Sequence, residues 1–131
     1  MGRAELRAAV RRHGGTEVID LTGDIDRDAD AVLQRAYDEA SGAGTGPVLL
    51  NFAGVGYINS TGIAVILGVL ARARKERRPL VASGLSEHYQ QIFQITRLSD
   101  FIAIYPDEDS AVGGATTGDA DGVRTARGGH R

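Results

Sequence analysis

The strongest constraint on the fold of this chain is a short, mostly apolar run in its middle, Val48-Leu49-Leu50-Asn51-Phe52. Turn-forming residues bound the run, and its length suits a strand that is covered on at least one face. Such a strand belongs near the centre of a sheet, where parallel neighbours are joined by helical crossovers. The run therefore predicts an α/β fold with Val48 to Phe52 as the central strand.

The remainder of the chain alternates between strand and helix patterns. Residues from Arg3 to Val10 alternate between apolar and mostly charged types, a Gly-Gly turn follows, and Glu17 to Leu21 reads as a second strand that Gly23 ends. These two strands predict an N-terminal antiparallel hairpin. The further predicted elements are a helix from the Asp26 region to Tyr37, a helix that follows the segment Tyr57 to Gly62, bears Ile63, Ile66, Leu67 and Leu70 and ends at Arg72 to Arg78, a strand at Pro79 to Ser83, a helix capped by Ser86 and a strand at Phe101 to Tyr105.

Length and composition predict one folded domain over residues 1–112, followed by a tail. At 131 residues the chain suits a single core. Residues 113–131 are dominated by Gly, Thr, Ala, Asp and Arg without apolar periodicity, so they cannot bury enough surface to offset their ordering entropy. A disordered C-terminal tail is expected there.

The charge balance and the absence of cysteine exclude several classes of function. Fifteen basic and 17 acidic residues give a formal charge of -2, which argues against nucleic-acid binding. The chain has no cysteine, so disulfides and thiolate chemistry are excluded. No apolar run approaches the roughly 20 residues of a membrane span, and the N-terminus lacks the apolar core of a signal peptide. We expect a cytoplasmic protein without direct membrane insertion.

Three stretches in this order, Leu21 to Asp26, Val48 to Phe52 and Tyr57 to Leu67, resemble the signature of the STAS domain family, in particular its anti-sigma factor antagonists. The resemblance covers roughly residues 3 to 112. It implies a STAS-like mixed β-sheet with the N-terminal hairpin, flanked by helices. The order of strand and helix patterns agrees with that topology.

The resemblance also implies a phosphorylation switch. In antagonists of this type the motif reads Asp-Ser, then Ser or Thr, then Gly, and its first hydroxyl residue accepts phosphate; Ser60 matches that position. The implied partners are an anti-sigma factor of the serine kinase type, which the unphosphorylated form binds, and a serine phosphatase that restores binding. The chain departs from the motif at Asn59, where phosphorylatable members carry aspartate. An amide copies some hydrogen bonds of a carboxylate but not its charge or basicity.

Physical reasoning about the Ser60 turn agrees with a switch. By residue type, Ser60 and Thr61 are candidate helix caps. Phosphate would add about -1.5 to -2 charges at the start of a helix, where the dipole tolerates them, so a docked partner would be disturbed and the fold would not. The predicted partner-binding residues around Ser60 are Asp24, Asp26, Asn59, Thr61 and Gly62. No catalytic residue, metal site or cofactor is expected, so the chain is predicted not to be an enzyme.

Two other functions remain open on the sequence. The first is a STAS scaffold subunit of a transporter or larger signalling assembly, which acts without phosphorylation and which Asn59 favours. The second is a small hydrolase or nucleotide-binding enzyme, which ranks lowest because no acid, base and nucleophile form a recognisable arrangement. The glycine-rich segment 42–46 is interpreted as a linker, and the cations from Arg72 to Arg78 as a solvated helix end.

Overall fold

The computed structural model describes residues 4–116, which form a five-stranded mixed sheet with four α-helices. The elements in chain order are β1 (Arg7–His13), β2 (Thr16–Ile25), a 3₁₀ turn (Arg27–Ala29), α1 (Asp30–Ala43), β3 (Val48–Ile58), α2 (Ser60–Lys75), β4 (Leu80–Ser83), α3 (Glu87–Ile95), a second 3₁₀ turn (Leu98–Asp100), β5 (Ala103–Tyr105) and α4 (Glu108–Thr116). The strands lie side by side in sequence order, with β1 and β2 antiparallel and all other neighbours parallel. The predicted fold class, the hairpin and the central position of β3 are confirmed.

The two faces of the sheet are covered unequally. One face carries α1, α2 and α3, and the core beneath them contains fully buried Tyr37, Ile66 and Phe93. Phe93 packs edge-on against Phe52 of β3, with ring centroids 5.9 Å apart. The other face carries α4, and the small apolar cluster there consists of Val18, Leu49, Val81, Ala111, Val112 and Ala115. Most of the apolar burial therefore lies on the side of α1, α2 and α3.

The helix α4 was not predicted from the sequence. Its residue Glu108 forms an ion pair and hydrogen bonds with β1 of the hairpin. Arg11 of β1 donates two hydrogen bonds to Glu108, and Nδ1 of His13 lies 2.5 Å from the same carboxylate. The hydrogen bonds from Arg11 and His13 lower the pKa of Glu108 to about 2. The helix reaches Thr116, so the first four residues of the predicted tail are helical; residues 117–131 lie outside the described residues.

Strand lengths differ from the sequence predictions at the glycines. Gly23 does not end β2, which continues to Ile25. Its φ is +111°, and a Cβ there would lie 2.5 Å from the Glu5 carbonyl oxygen, so the glycine permits a close approach within the strand. β3 likewise passes Phe52 and ends at Ile58, with register irregularities against β2 after Asp20 and Gly23. The structure also begins β1 at Arg7, later than the predicted Arg3.

The helix α2 packs on the sheet through one face. The buried side comprises Gly62, Val65, Ile66, Val69, Leu70 and Ala73. Leu67, which the helical spacing placed on the apolar face, is 47% exposed. It differs from Ile66 by one residue, or about 100° around the helix, which turns it away from the sheet.

Candidate functional site

The segments that follow β2 and β3 lie next to each other where these two parallel strands end. Ile25 and Ile58, the last residues of these parallel strands, pair with each other. The backbone N–H of Asn59 donates to the Ile25 carbonyl oxygen at 3.2 Å, which ties the start of α2 to the end of β2. The carboxyl edge of a parallel sheet is the usual place for a ligand or partner site in α/β proteins. The predicted motif therefore stands at an edge that suits binding.

Gly62 is present because α2 begins in contact with the end of β2. A Cβ at this position would lie 2.0 Å from the Ile25 carbonyl oxygen and 3.1 Å from Cγ2 of Ile58. The first distance is far below any van der Waals separation and the second is only slightly short, so the contact with the Ile25 carbonyl prevents a side chain from fitting unless the backbone shifts. The structure shows that Gly62 packs against the β2 backbone, and its role in partner binding stays a prediction.

Asn59 caps α2, and the hydroxyl residues predicted as caps do not. The Asn59 side chain oxygen accepts a hydrogen bond from the Gly62 N–H at 2.8 Å and another from the Thr61 hydroxyl at 2.8 Å. Asn, Asp and Ser rank almost equally as N-caps, so residue type could not choose among Asn59, Ser60 and Thr61. A carboxylate at this position is able to accept the same two hydrogen bonds.

Ser60 is the first residue of α2 and is exposed. Among residues 4–116 its hydroxyl has no hydrogen-bonding partner, because Asn59 performs the capping. The hydroxyl is therefore accessible to solvent and does not cap the helix. This is the property that chemical modification of a side chain requires.

Acidic groups border the same helix start. A cleft of about 240 Å³ is lined by Asp26, Arg27, Asp28, Asn59 and Thr61. Asp26 is only 8% exposed, and its side chain accepts from the Asp28 N–H at 2.9 Å, which starts the first 3₁₀ turn. The structure thus brings Asp26, Asn59 and Thr61 together at one cleft.

Asp24 has a different role from the other predicted site residues. Its carboxylate accepts a hydrogen bond from the Ala4 N–H at 3.0 Å, and its own N–H donates to the Ala4 carbonyl oxygen at 2.9 Å. Asp24 is not among the residues that line the cleft beside Asn59. In this structure it holds residue 4 against β2.

Tyr89 supports the site, and sequence reasoning missed it. This residue of α3 accepts a hydrogen bond at its hydroxyl oxygen from the backbone N–H of Ile58, at 2.9 Å. Ile58 immediately precedes the cap Asn59, so α3 helps to fix the position of the motif. The contact spans 31 residues in sequence, and no local pattern signals it.

The basic end of α2 is partly structural. The Arg72 guanidinium donates to Gln34 and Asp38 of α1 and lies 4.6 Å from the centroid of the Tyr37 ring. The hydrogen bond to Asp38 raises the pKa of Arg72. Arg78 donates hydrogen bonds to the carbonyl oxygens of Ser41 and Gly46, so it contacts the chain at both ends of the glycine-rich segment 42–46. These two arginines were predicted to belong to a solvated helix end and are instead bonded within the fold.

The described part of the chain has the features of neither a metal centre nor a membrane span. Between residues 4 and 116, no three His, Asp or Glu side chains are grouped so that they could hold a metal ion. None of the helices in this range combines the length and apolar character that a membrane span requires.

A family model described as "Mlab, STAS domain" matches residues 8–104, which is most of the chain. The anti-sigma-B factor antagonist of Listeria monocytogenes is 42% identical over 50 residues, which cover 38% of this chain and 44% of the relative. The chain therefore aligns with less than half the length of that curated relative.

Solved structures show the same fold. An anti-sigma factor antagonist from Mycobacterium paratuberculosis superposes with a TM-score of 0.73 at 18% identity, over 85% of this chain and 94% of the other. The Bacillus cell fate determinant SpoIIAA in its phosphorylated form superposes with a TM-score of 0.58 at 21% identity, over 79% of this chain and 95% of the other. At such identities the likeness concerns the fold.

Proposed function

The chain belongs to the STAS domain family, and on that premise we propose that it is an anti-sigma factor antagonist whose binding to a kinase-type anti-sigma factor is switched by phosphorylation of Ser60. The observation that carries the proposal is the exposed Ser60 hydroxyl at the start of α2, which makes no hydrogen bond among the described residues. A kinase can reach this group without unfolding the helix. The name of the Listeria relative supports the choice of partner.

Phosphorylation at this position is compatible with the fold. The phosphate would stand at the N-terminus of α2, where unpaired N–H groups and the helix dipole favour negative charge. The cap made by Asn59 to Gly62 does not use the Ser60 hydroxyl, so it survives the modification. The folded state is thus expected to persist, and the effect is expected on binding.

The partner is expected to dock over the Ser60 turn and the neighbouring cleft. Asp26 and Asp28 already place negative charge beside Asn59 and Thr61. A phosphate of about -1.5 to -2 charges adds to that field, and a partner that brings its own carboxylates would have to desolvate like charges. Such contacts cost several kcal/mol, which weakens binding by about a hundredfold or more.

In this scheme the chain is a substrate and a switch, and it is not an enzyme. Its phosphorylated form releases the anti-sigma factor, which can then hold the sigma factor, and a serine phosphatase restores the antagonist. The site for this chemistry is expected in the cytoplasm, where sigma factors act.

The direct test is intact-mass analysis after incubation with a purified anti-sigma factor kinase and ATP. One added phosphate that maps to Ser60 is expected, and the Ser60→Ala variant should gain none. Ser86→Ala, in which another helix-start serine is removed, should be labelled like wild type. A phosphate on a residue other than Ser60 would contradict the proposed switch.

Asn59 favours a second candidate, a STAS scaffold subunit of a transporter or a larger signalling assembly. An amide cannot accept the proton of a neighbouring hydroxyl as a carboxylate can. The same surface would then bind a partner constitutively. Unlabelled Ser60 after kinase treatment, together with stable co-purification of the chain with membrane permease components, would favour this candidate over the first.

A further inference from the structure

The solvent side of α2 carries one continuous exposed stripe. Five exposed residues form this outer stripe, Ser60, Ala64, Leu67, Ala71 and Arg74. At about 100° per residue they fall within roughly 80° of arc, opposite the buried positions that face the sheet. The stripe is about 21 Å long, and its middle is apolar and composed of small side chains around Leu67.

The order of residues along the outer stripe is nearly symmetric about Leu67. Ser60 lies seven residues before Leu67 and Arg74 seven residues after it, while Ala64 and Ala71 lie three before and four after. When two copies of α2 lie antiparallel about a two-fold axis at Leu67, each Ala64 meets the Ala71 of the other copy. Small residues at these positions permit a close helix approach, near 8 Å between axes.

The charges at the two ends of the stripe are complementary in the same arrangement. The end at Ser60 lies beside the cleft that Asp26, Arg27 and Asp28 line. The other end carries Arg74, Lys75 and Arg77 around one carboxylate, Glu76. Within residues 4–116 none of those three cations forms an ion pair, and Arg74 lies 4.8 Å from the centroid of the Phe101 ring. In an antiparallel pair of α2 helices, each acidic end lies next to a basic end. The two helix dipoles are then antiparallel, which is also favourable.

We propose that the outer stripe is a contact between two copies of this chain, related by a two-fold axis at Leu67. One helix face of this length buries less than the roughly 1,200 Å² of a standard interface, so the dimer is weak and concentration-dependent. In it, Ser60 of each copy is covered and faces Arg74 of the other. A phosphate or carboxylate at residue 60 would gain an ion pair with that arginine, so modification would strengthen the dimer.

The absence of cysteine allows a direct test by engineered disulfides. Leu67→Cys places a single thiol on the axis, next to its own copy. Ala71→Cys places it on the same stripe but about 12 Å along the helices from its equivalent, and Ile95→Cys places it at a site that is 79% exposed on α3. We expect air oxidation of the full chain at about 100 µM to form the Leu67→Cys dimer at least about tenfold faster than either control. Equal rates, or a faster Ala71→Cys reaction, would overturn the proposed axis.

Sedimentation velocity of the unmodified chain gives a second readout. From about 10 µM to about 1 mM, wild type should shift towards the dimer, and Arg74→Glu should shift less because it sets acid against acid. Ser60→Asp should lower the dimer dissociation constant about fivefold, and the gain should vanish in the Ser60→Asp, Arg74→Gln double variant. A strictly monomeric wild type across this range would overturn the proposal. The dimer does not require the kinase, so its failure leaves the proposed phosphorylation switch standing.

Discussion

The starts of α2 and α3 are built alike, and their difference identifies the candidate switch. In each helix one side chain accepts the N–H of the third helical residue: Asn59 from Gly62 at 2.8 Å, and Ser86 from Tyr89 at 3.2 Å. At α3 the cap is a serine, so its hydroxyl is occupied. At α2 the cap is an asparagine, and the serine that follows it has a hydroxyl without a partner among the described residues. A serine near a helix start can therefore either cap the helix or leave its hydroxyl unbonded. The outcome depends on whether the neighbouring residue makes the cap.

The two helix starts also differ in how closely they approach the sheet. Gly62 lies against the Ile25 carbonyl, whereas Tyr89 at the equivalent position in α3 reaches across to the backbone of Ile58. The start of α2 is thus fixed by β2 on one side and supported from α3 on the other. Ser60 is therefore exposed at a helix start that contacts both β2 and α3.

The largest expected effect is on the close approach of α2 to β2. Gly62→Ala would place a Cβ 2.0 Å from the Ile25 carbonyl oxygen and should lower the free energy of unfolding by about 3 kcal/mol. Gly68→Ala, on the same helix, brings its Cβ 3.4 Å from the flexible Gln34 side chain and should stabilise by up to about 1 kcal/mol. Urea denaturation of both variants checks the opposite signs, and an unchanged midpoint for Gly62→Ala would refute the packing role.

The next effect concerns the identity of the α2 cap. Asn59→Asp keeps an acceptor for the Gly62 N–H and the Thr61 hydroxyl, so the thermal midpoint should change little. The carboxylate can accept the Ser60 proton, so phosphate transfer from an anti-sigma factor kinase should accelerate about tenfold, equivalent to about 1.4 kcal/mol in the barrier. Single-turnover labelling with radioactive ATP measures the rate. Equal rates in both proteins would show that the missing carboxylate does not limit the reaction.

Loss of either cap should cost a similar amount. Asn59→Ala and Ser86→Ala each leave one helix N–H without its side-chain acceptor, and each should lower the free energy of unfolding by about 1 kcal/mol. Chemical denaturation of the two variants in parallel tests whether the helix starts are equivalent in energy. A cost for Ser86→Ala close to zero would break the comparison.

The smallest expected effect is on stability at Ser60 itself. Ser60→Ala removes a hydroxyl that makes no hydrogen bond among residues 4–116, so the free energy of unfolding should change by less than about 0.5 kcal/mol. Ser86→Ala, with its larger expected loss, is the internal control. A loss of 1 kcal/mol or more at Ser60 would mean that its hydroxyl holds the helix after all.

The sequence predicted the elements well where a pattern repeats within one segment. The apolar run at Val48 is buried as expected, and of the residues spaced along α2, Ile66 and Leu70 are buried, Ile63 is partly buried and Leu67 is exposed. The ends of β2 and β3 were wrong because glycine is locally a turn residue. At Gly23 it instead admits the Glu5 backbone, which is a contact between segments that no local pattern contains.

The candidate site was predictable as a location and less so in its roles. Three successive residues, Asn59, Ser60 and Thr61, are all of types that commonly cap helices. Their N-cap preferences are too similar to show which of them makes the cap. The choice depends on how α2 meets Ile25, which is a tertiary contact. The missed helix α4 has the same kind of cause, because glycines 113 and 114 lower its propensity while burial of Ala111 against the sheet stabilises it.

The measurement that tests the account most directly is calorimetric titration of an anti-sigma factor kinase with three forms of the chain. Wild type should bind, Ser60→Glu should bind at least about a hundredfold more weakly, and Ser110→Glu should bind like wild type. Ser110 is an exposed serine on α4, across the sheet from the proposed surface, so it matches the charge change but not its position. Equal affinity of the Ser60→Glu and Ser110→Glu variants would contradict the claim that the hydroxyl at the start of α2 controls binding.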